Sequence, residues 1–493
     1  MSSPIEQFKQ QSECIRIQQH KPELEKRKRK KSTSKQSKKN IDLEGMMEVT
    51  EVSEPPLTEP SLYQNDRNIT PAATAAPVAS GLRSQLRTDL WKTNSDGLAY
   101  FFHQAKGKPT NLIEHYISSP GDITTLPWNE ALQIIDKFGL LTAKIHLIFA
   151  AHTMRQKKPW ESKFTLKASD IVTELGWNKR TDINMFSKFN EVAKASFALG
   201  CLLIRAVWAE GSGKNQVYCS VQTSRMWDVA VEVRGKRILS VDKISEPDEV
   251  YITIRPGLWT DAFLNRAGCQ AKKALYQFGY LAQGILKIDP YHDEMALRLA
   301  LHLTIESRFH TSGTYKVGTL LKELLPKAII SEAREKRDKA RKLTNRWNHA
   351  LEVLMGLENA FQIEFDPETY PEVLQPGSQS RKPRGYFEKL LAAKITIHPP
   401  APIPELLASK TKPKLSKPKL NPVSQTVSIP TANCTNLSGS QIRNARKAKG
   451  WSQVKLAGWL GVTQAFISQI EKGSRTLSSE MEAKLKKLLE ISD

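Results

Sequence analysis

The sequence predicts a mainly α-helical chain with small β hairpins, built as several bodies joined by polar segments. Three observations predict it. Between Leu126 and Ile397 one order of elements (helix, strand, short helix, long helix, closing strands) occurs twice. From Leu437 to Leu489 apolar residues recur at helical spacing in four short runs, separated by helix-stop and helix-cap residues. Residues 1 to about 120 and 398–436 are poor in aromatics and rich in Ser, Pro and Lys. The expected bodies are therefore 1–120, 126–245, 246–397, 398–436 and 437–493.

Residues 1 to about 120 read as a largely disordered, basic region. Lys26 to Lys31 is an unbroken basic run, KRKRKK, suited to phosphates or to a solvated tail. The Ala/Pro stretch from Thr70 reads as a linker. Aromatics return at Tyr100, Phe101 and Phe102, so a short element docked on the next body is expected there.

In the first arrangement, Lys144–Met154 is an apolar helix and Lys163–Leu166 a strand. Ser169–Leu175 is a capped helix ended by Gly176, and Arg180 to about Leu199 is a longer helix. The strands Cys201–Trp208 and Gln216–Gln222 would close it, with EGSGKN at the hairpin tip. In the second arrangement, Glu249–Ile254 reads as a strand, and Ala271–Leu286 and Asp293–Glu306 as helices. Thr314–Val317 is a short strand and Gly318–Leu325 a helix ended by Pro326. A basic helix then runs from about Glu332 to Leu357, burying Leu343, Trp347, Ala350, Leu351 and Leu354, and Phe361–Asp366 follows as a strand. This order is the winged-helix plan, and its doubling resembles the initiators of iteron-type plasmid replication. The resemblance implies reading helices that carry Lys179, Arg180, Lys188 and Lys194 in the first arrangement. In the second it implies Arg334, Arg337, Lys339, Arg341, Lys342 and Arg346.

Residues 398–436, Pro- and Lys-rich, read as an extended tether. Beyond it Gly450 ends a first helix, Ser452 caps a second, Gly461 makes a turn and Thr463 caps a third, which is a helix-turn-helix. The words WSQVKLAGWLGVTQAFISQIEKG resemble the DNA-binding domain of the Xre/Cro, lambda-repressor-like family, a bundle of four to five helices. That resemblance places Gln453 near a phosphate and Gln464, Ala465, Ser468 and Gln469 at the major groove, with the cap Thr463 counted among the DNA-binding residues. It places Lys472, Ser474 and Arg475 on the backbone beyond. Gln464 and Gln469 suit adenine edges through their paired amide donor and acceptor. Ala465, where relatives carry a longer polar side chain, reaches only a thymine methyl.

The net charge of +22 over 493 residues favours a polyanionic partner. No apolar run is long enough to span a membrane and the first residues have no apolar signal core, which leaves double-stranded DNA as the expected partner, met in the cytoplasm. A homodimer and host replication proteins are further candidate partners. The five cysteines (14, 201, 219, 269, 434) form no C-x-x-C pair, so neither zinc nor a disulfide framework is expected. No cofactor or metal is expected, and no catalytic residues. EGSGKN lacks the spacing of a phosphate-binding loop. His146 and His152 are too far apart for a nickase metal site, and His152-x-x-Arg155 lacks the other residues a tyrosine recombinase needs. Asp289, Asp293 and Glu294 read as helix-start acids. The expected function is sequence-specific DNA binding, as a plasmid or mobile-element replication initiator, with a transcriptional regulator as the alternative.

Overall fold

A computed structural model describes residues 48–49, 54–63, 68–119, 121–238, 243–308, 310, 312–411, 439–460, 462–471 and 479–489. The basic run 26–31 lies outside them. Contacts divide the chain into two units, residues 1–414 and 415–493.

The first unit begins with β1 (Glu48–Val49), parallel to Glu232–Val233. A strap, residues 54–63, follows. The Glu59 N–H donates to the Thr165 carbonyl at 2.9 Å, and the Arg155 guanidinium donates to the carbonyls of Pro60, Ser61 and Leu62 at 2.6–3.1 Å. Next come β2 (Ile69–Ala73), α1 (Ala76–Leu86), β3 (Lys92–Thr93), β4 (Ala99–Gln104) and β5 (Leu112–Ile117). This corrects two expectations: residues 68–119 are ordered, and the stretch from Thr70 is not a linker. Ala72, Ala73, Ala75, Val78 and Leu82 are buried. Small side chains let α1 lie close to the helix beneath it, and a Cβ at Gly81 would stand 2.7 Å from His146 Cε1. Composition reads Ala, Pro and Ser as weakly apolar; close packing of small residues is invisible to it.

Then comes α2 (Trp128–Ile135), a helix not expected from the sequence, and α3 (Leu140–Arg155), β6 (Phe164–Lys167), α4 (Ala168–Glu174) and α5 (Met185–Gly200) follow in the expected order. Gly176 takes the left-handed conformation that ends α4. α5 starts at Met185 rather than Arg180, because the Asn184 side chain caps it by accepting the Ser187 N–H at 2.8 Å.

The strands that follow are β7 (Leu202–Glu210), β8 (Val217–Arg225), β9 (Trp227–Ile238) and β10 (Lys243–Pro256). β7 and β8 do pair, but in a separate sheet of order β3-β4-β5-β7-β8. The hairpin that closes against α4 and α5 is β9–β10, with Tyr251–Ile254 registered on Lys167–Phe164. The EGSGKN tip therefore belongs to the other sheet. Glu249–Ile254 completes the first arrangement instead of opening the second, and the expected 245/246 boundary falls inside β10. Two alternating strand pairs stand in succession here, and alternation alone does not say which pair meets β6.

After α6 (Trp259–Phe263) and α7 (Arg266–Gln270), β11 (Phe278–Ala282) pairs antiparallel with β2 and leads into α8 (Gln283–Lys287). The single helix expected over Ala271–Leu286 is thus overturned by a strand whose partner lies about two hundred residues earlier. The second arrangement runs α9 (Glu294–Glu306), β12 (Thr314–Lys316), α10 (Val317–Leu324), α11 (Lys327–Glu335) and α12 (Arg337–Met355). It closes with β13 (Gln362–Phe365), α13 (Tyr386–Ala392) and β14 (Lys394–His398). The long basic helix breaks at Lys336, whose backbone is extended (φ −115°, ψ 119°). The sheet has order β12-β14-β13, so both arrangements set their strands first–third–second. The expected tether does not begin at 398, since α14 (Ile403–Thr411) follows with Ile403 buried.

One apolar core serves both arrangements. Trp227 and Trp259 meet edge-on at 5.5 Å, and the Trp347 indole donates to Tyr370 Oη at 3.1 Å. α3 buries the largest share of its length, as its apolar run predicts. His152 stacks on Phe164, so the H-x-x-R pair is spent on packing and on the strap. Asp289 caps the Tyr291 and His292 amides, Asp293 accepts from His349, and Glu294 pairs with Arg298 and Arg346.

The second unit is α15 (Gly439–Ala448), α16 (Gln453–Leu460), α17 (Gln464–Glu471) and α18 (Ser479–Leu489). Ile442, Leu456, Ala457, Ile467, Ile470, Leu485 and Leu489 form its core. Gly450 is left-handed (φ 64°). Ser452 Oγ accepts the Lys455 N–H at 3.1 Å and Thr463 Oγ1 the Phe466 N–H at 3.3 Å, as the capping residues predict. Val454 is 67% exposed.

Candidate nucleic-acid interface

In the second unit a buried ion pair sets the reading end. Arg446 of α15 donates through Nε and Nη2 to Glu471 at 2.5 and 2.9 Å, and through Nη1 to the Trp451 carbonyl at 2.6 Å. Arg443 adds its charge 3.6 Å away. Burial raises the Glu471 pKa, but the hydrogen bonds from Arg446 and Gln453 outweigh it and hold the carboxyl below its ordinary value. The bond to Glu471 in turn raises Arg446.

From this pair the order passes outward. Gln453 Nε2 donates to Glu471 Oε2 at 2.9 Å, and Gln464 Nε2 donates to Gln453 Oε1 at 2.9 Å. Glu471 accepts only, so it fixes which way the Gln453 amide faces, and Gln453 fixes Gln464. Gln464 then keeps its carbonyl and one N–H outside these bonds. Gln453 and Gln464, foreseen separately, are one hydrogen-bonded pair. Thr463 is the α17 cap. Ser468 is half-buried on α17 and Gln469 exposed. Ala465 lies on α17, but its side chain, like Lys472, Ser474 and Arg475, lies outside the described residues. Arg446 and Glu471 were missed. Their signal was a charged residue at an inward position of each of two amphipathic helices.

In the first unit the two basic clusters fare differently. Lys179 and Arg180 precede α5 instead of riding on it. Lys179 is exposed, while Arg180 bonds Asp182 at 2.6 and 3.1 Å. Lys188 is buried, its Nζ donating to the Arg180 carbonyl at 2.6 Å, and Lys194 lies 3.7 Å from Glu191. The exposed first turn of α5 carries Met185 and Phe186.

Along α11 and α12 some cations are taken. Arg334 bonds Glu388 at 2.9 Å, Lys336 and Lys339 both reach Glu332, and Arg346 bonds Glu294 at 3.1 Å. Arg337, Arg341 and Lys342 are exposed, and no ion pair is seen for them among the described residues. They lie opposite the buried stripe Leu343, Trp347, Ala350 and Leu354. The β13–β14 connection brings Arg381, Lys382 and Arg384 toward the same helix. Lys382 Nζ donates to Asn345 Oδ1 at 3.3 Å, one turn beyond Arg341, and lies 5.6 Å from the Tyr386 ring centre. This loop was also missed. SRKPRG, three cations around a Pro between two strands, was its signal.

Among the described residues no helix is long and apolar enough to cross a membrane. A helix-turn-helix family model matches residues 442–492, and the second unit is a helix-turn-helix domain of the Xre, lambda-repressor-like type. No curated protein matches the chain. Two solved structures of RctB resemble parts of it. A selenomethionine derivative of domains 2 and 3 is 11% identical with a TM-score of 0.31, covering 65% of this chain and 99% of that one. A second structure of domains 2–3 is 12% identical with a TM-score of 0.30, covering 64% and 95%.

Proposed function

We propose that this chain is a sequence-specific binder of double-stranded DNA, not an enzyme, and that it initiates replication of the replicon that carries it. The observation that carries the reading is the repeated arrangement in the first unit. Helix, strand, helix, helix and closing strands occur twice, with the same first–third–second strand order each time. This is the winged-helix plan in tandem, and the helix-turn-helix domain follows it on the same chain.

In this reading α17 offers Gln464 to base edges, steadied by Gln453 and Glu471. The exposed face of α12, with Arg337, Arg341 and Lys342, meets phosphates together with Arg381, Lys382 and Arg384. Two winged-helix bodies on one core suit repeated sites, since each enters one groove. A homodimer, host replication proteins and a cytoplasmic, plasmid-associated location follow from the same reading.

The test is selection of duplexes from a random pool by the full chain, followed by footprinting on the DNA around its own gene. A repeated array whose deletion abolishes replication is the expected result. A footprint confined to a promoter, with copy number unchanged when the gene is deleted, replaces initiation by transcriptional regulation.

A further inference from the structure

We infer that the connection between α8 and α9, Asp289–His292, is part of the duplex-contacting surface of the first arrangement, with Tyr291 holding Arg180 toward a backbone phosphate. This rests on the proposed DNA-binding reading.

The turn between α4 and α5 leads into the helix that the winged-helix plan puts in the groove. Arg180 stands in that turn, and its carbonyl is tied to the first turns of α5 by Lys188 Nζ at 2.6 Å. Its guanidinium gives Nε and Nη2 to Asp182, and Nη1 donates to no acceptor among the described residues. Arg180 Cζ lies over the Tyr291 ring, 5.9 Å from its centre. Tyr291 comes from the leading connection of the second arrangement, yet it sits at the reading end of the first.

That connection is held rigidly. Asp289 Oδ1 accepts the N–H groups of Tyr291 and His292 at 2.7 and 3.0 Å. Lys144, buried in α3, donates to the Ile288 carbonyl at 2.6 Å. Lys287 lies against Gly176, where a Cβ would stand 3.3 Å from its Cγ. A well-ordered loop thus presents an aromatic ring that is 76% exposed, where it adds little to folding.

The Tyr291 hydroxyl and Arg180 Nη1 are both donors, Lys179 is next to Arg180 in the chain, and His292 follows Tyr291. Asp182 and Asp289 balance Arg180 and Lys179 in formal charge, so what the set offers an anion is directed donors and not excess positive charge. Such a set fits an oxygen-rich monoanion on a duplex edge. An acidic protein surface is the rival occupant.

The experiment measures the affinity of the full chain for a duplex it selects from a random pool, across a salt series. Arg180→Ala and Tyr291→Ala should each weaken binding about ten-fold, and the pair together no more than either alone, because both act on one phosphate. Tyr291→Phe, which keeps the ring under Arg180, should lose only about three-fold. The salt slope should fall by less than one for Arg180→Ala, since Asp182 already pairs with this guanidinium. Tyr291→Ala with parental affinity overturns the inference, as does a double variant whose losses multiply. If Arg337→Ala and Arg341→Ala weaken binding while Tyr291→Ala does not, DNA binding by the first unit stands and this inference alone falls. If the full chain retains no duplex, both fall. An acidic protein held by the parent and lost in Tyr291→Ala, with duplex affinity unchanged, gives the surface to a protein instead.

Discussion

Glu471 shows how one buried residue can serve stability and recognition through different bonds. Its carboxylate is shielded from water, so its charge is tolerable only while Arg446 faces it. Arg446→Ala should destabilise the second unit by roughly 3–5 kcal/mol, the usual cost of leaving a buried charge unpaired, read as loss of its denaturation transition. Because the Glu471 pKa is depressed on folding, its contribution is complete above the ordinary carboxylate range and disappears as pH falls through the lowered value. Acid should therefore melt α17 out of register before it alters Gln464 itself. Gln464→Ala acts differently. The fold remains, and the cost is roughly 1–3 kcal/mol at the selected site with relaxed preference at one base. Equal losses on selected and scrambled duplexes would remove Gln464 from base reading. Of this site the caps and the two glutamines were legible from residue type and spacing. Arg446 and Glu471 were not, because a pair far apart in sequence announces itself only when both helices are placed.

Elements built from local periodicity were readable in advance, and those built from distant pairing were not. α3, α9 and α10 follow from apolar spacing and stop signals within their own residues. β2 and β11 pair across the whole first arrangement, and neither has a local partner to betray it. α12 shows the same limit for charge. Its cations were visible in sequence, but which of them are already matched depends on Glu294 and Glu388 from other elements. Arg337→Ala with Arg341→Ala should therefore weaken binding to all duplexes and lower the salt slope by about two, whereas Arg334→Ala should change the slope less. An unchanged slope in the first variant would make α12 an ordinary solvated face. The core of the first unit carries a pH dependence. Burial lowers His115, His146 and His152 to about 3, so folding keeps them neutral. They take up protons only on unfolding once pH drops below their ordinary value near ~6.5, and stability falls from there toward the folded values. Burial raises Glu174 to about 7, which works in the opposite sense and offsets one proton. Burial also lowers His103 to about 4 and lowers His302, so the net loss between pH 6 and 5 should be at least about 4 kcal/mol per pH unit, measured by urea titration of the first unit. A flat profile would mean these histidines are reached by water.

At the scale of the whole chain the question is what the helix-turn-helix unit gains from being joined to the first unit. Residues 412–438, between them, are rich in Pro and Lys. Once the first unit is on DNA, the second searches a small volume, so its own weak affinity is multiplied by an effective concentration instead of being added to that of the first. A fragment ending at residue 411 and one beginning at residue 437 should each bind a selected duplex more weakly than the intact chain, by about 10²–10⁴-fold for the weaker fragment. Mixing the two fragments should not restore the loss. Lengthening the joining segment with Gly and Ser should lower affinity gradually, because effective concentration falls roughly as the −3/2 power of length. If the intact chain binds no tighter than the first fragment, the helix-turn-helix domain works on a different DNA segment. The expected pattern would then be bridging of two duplexes, seen as intermolecular complexes that dissolve when Gln464→Ala is introduced.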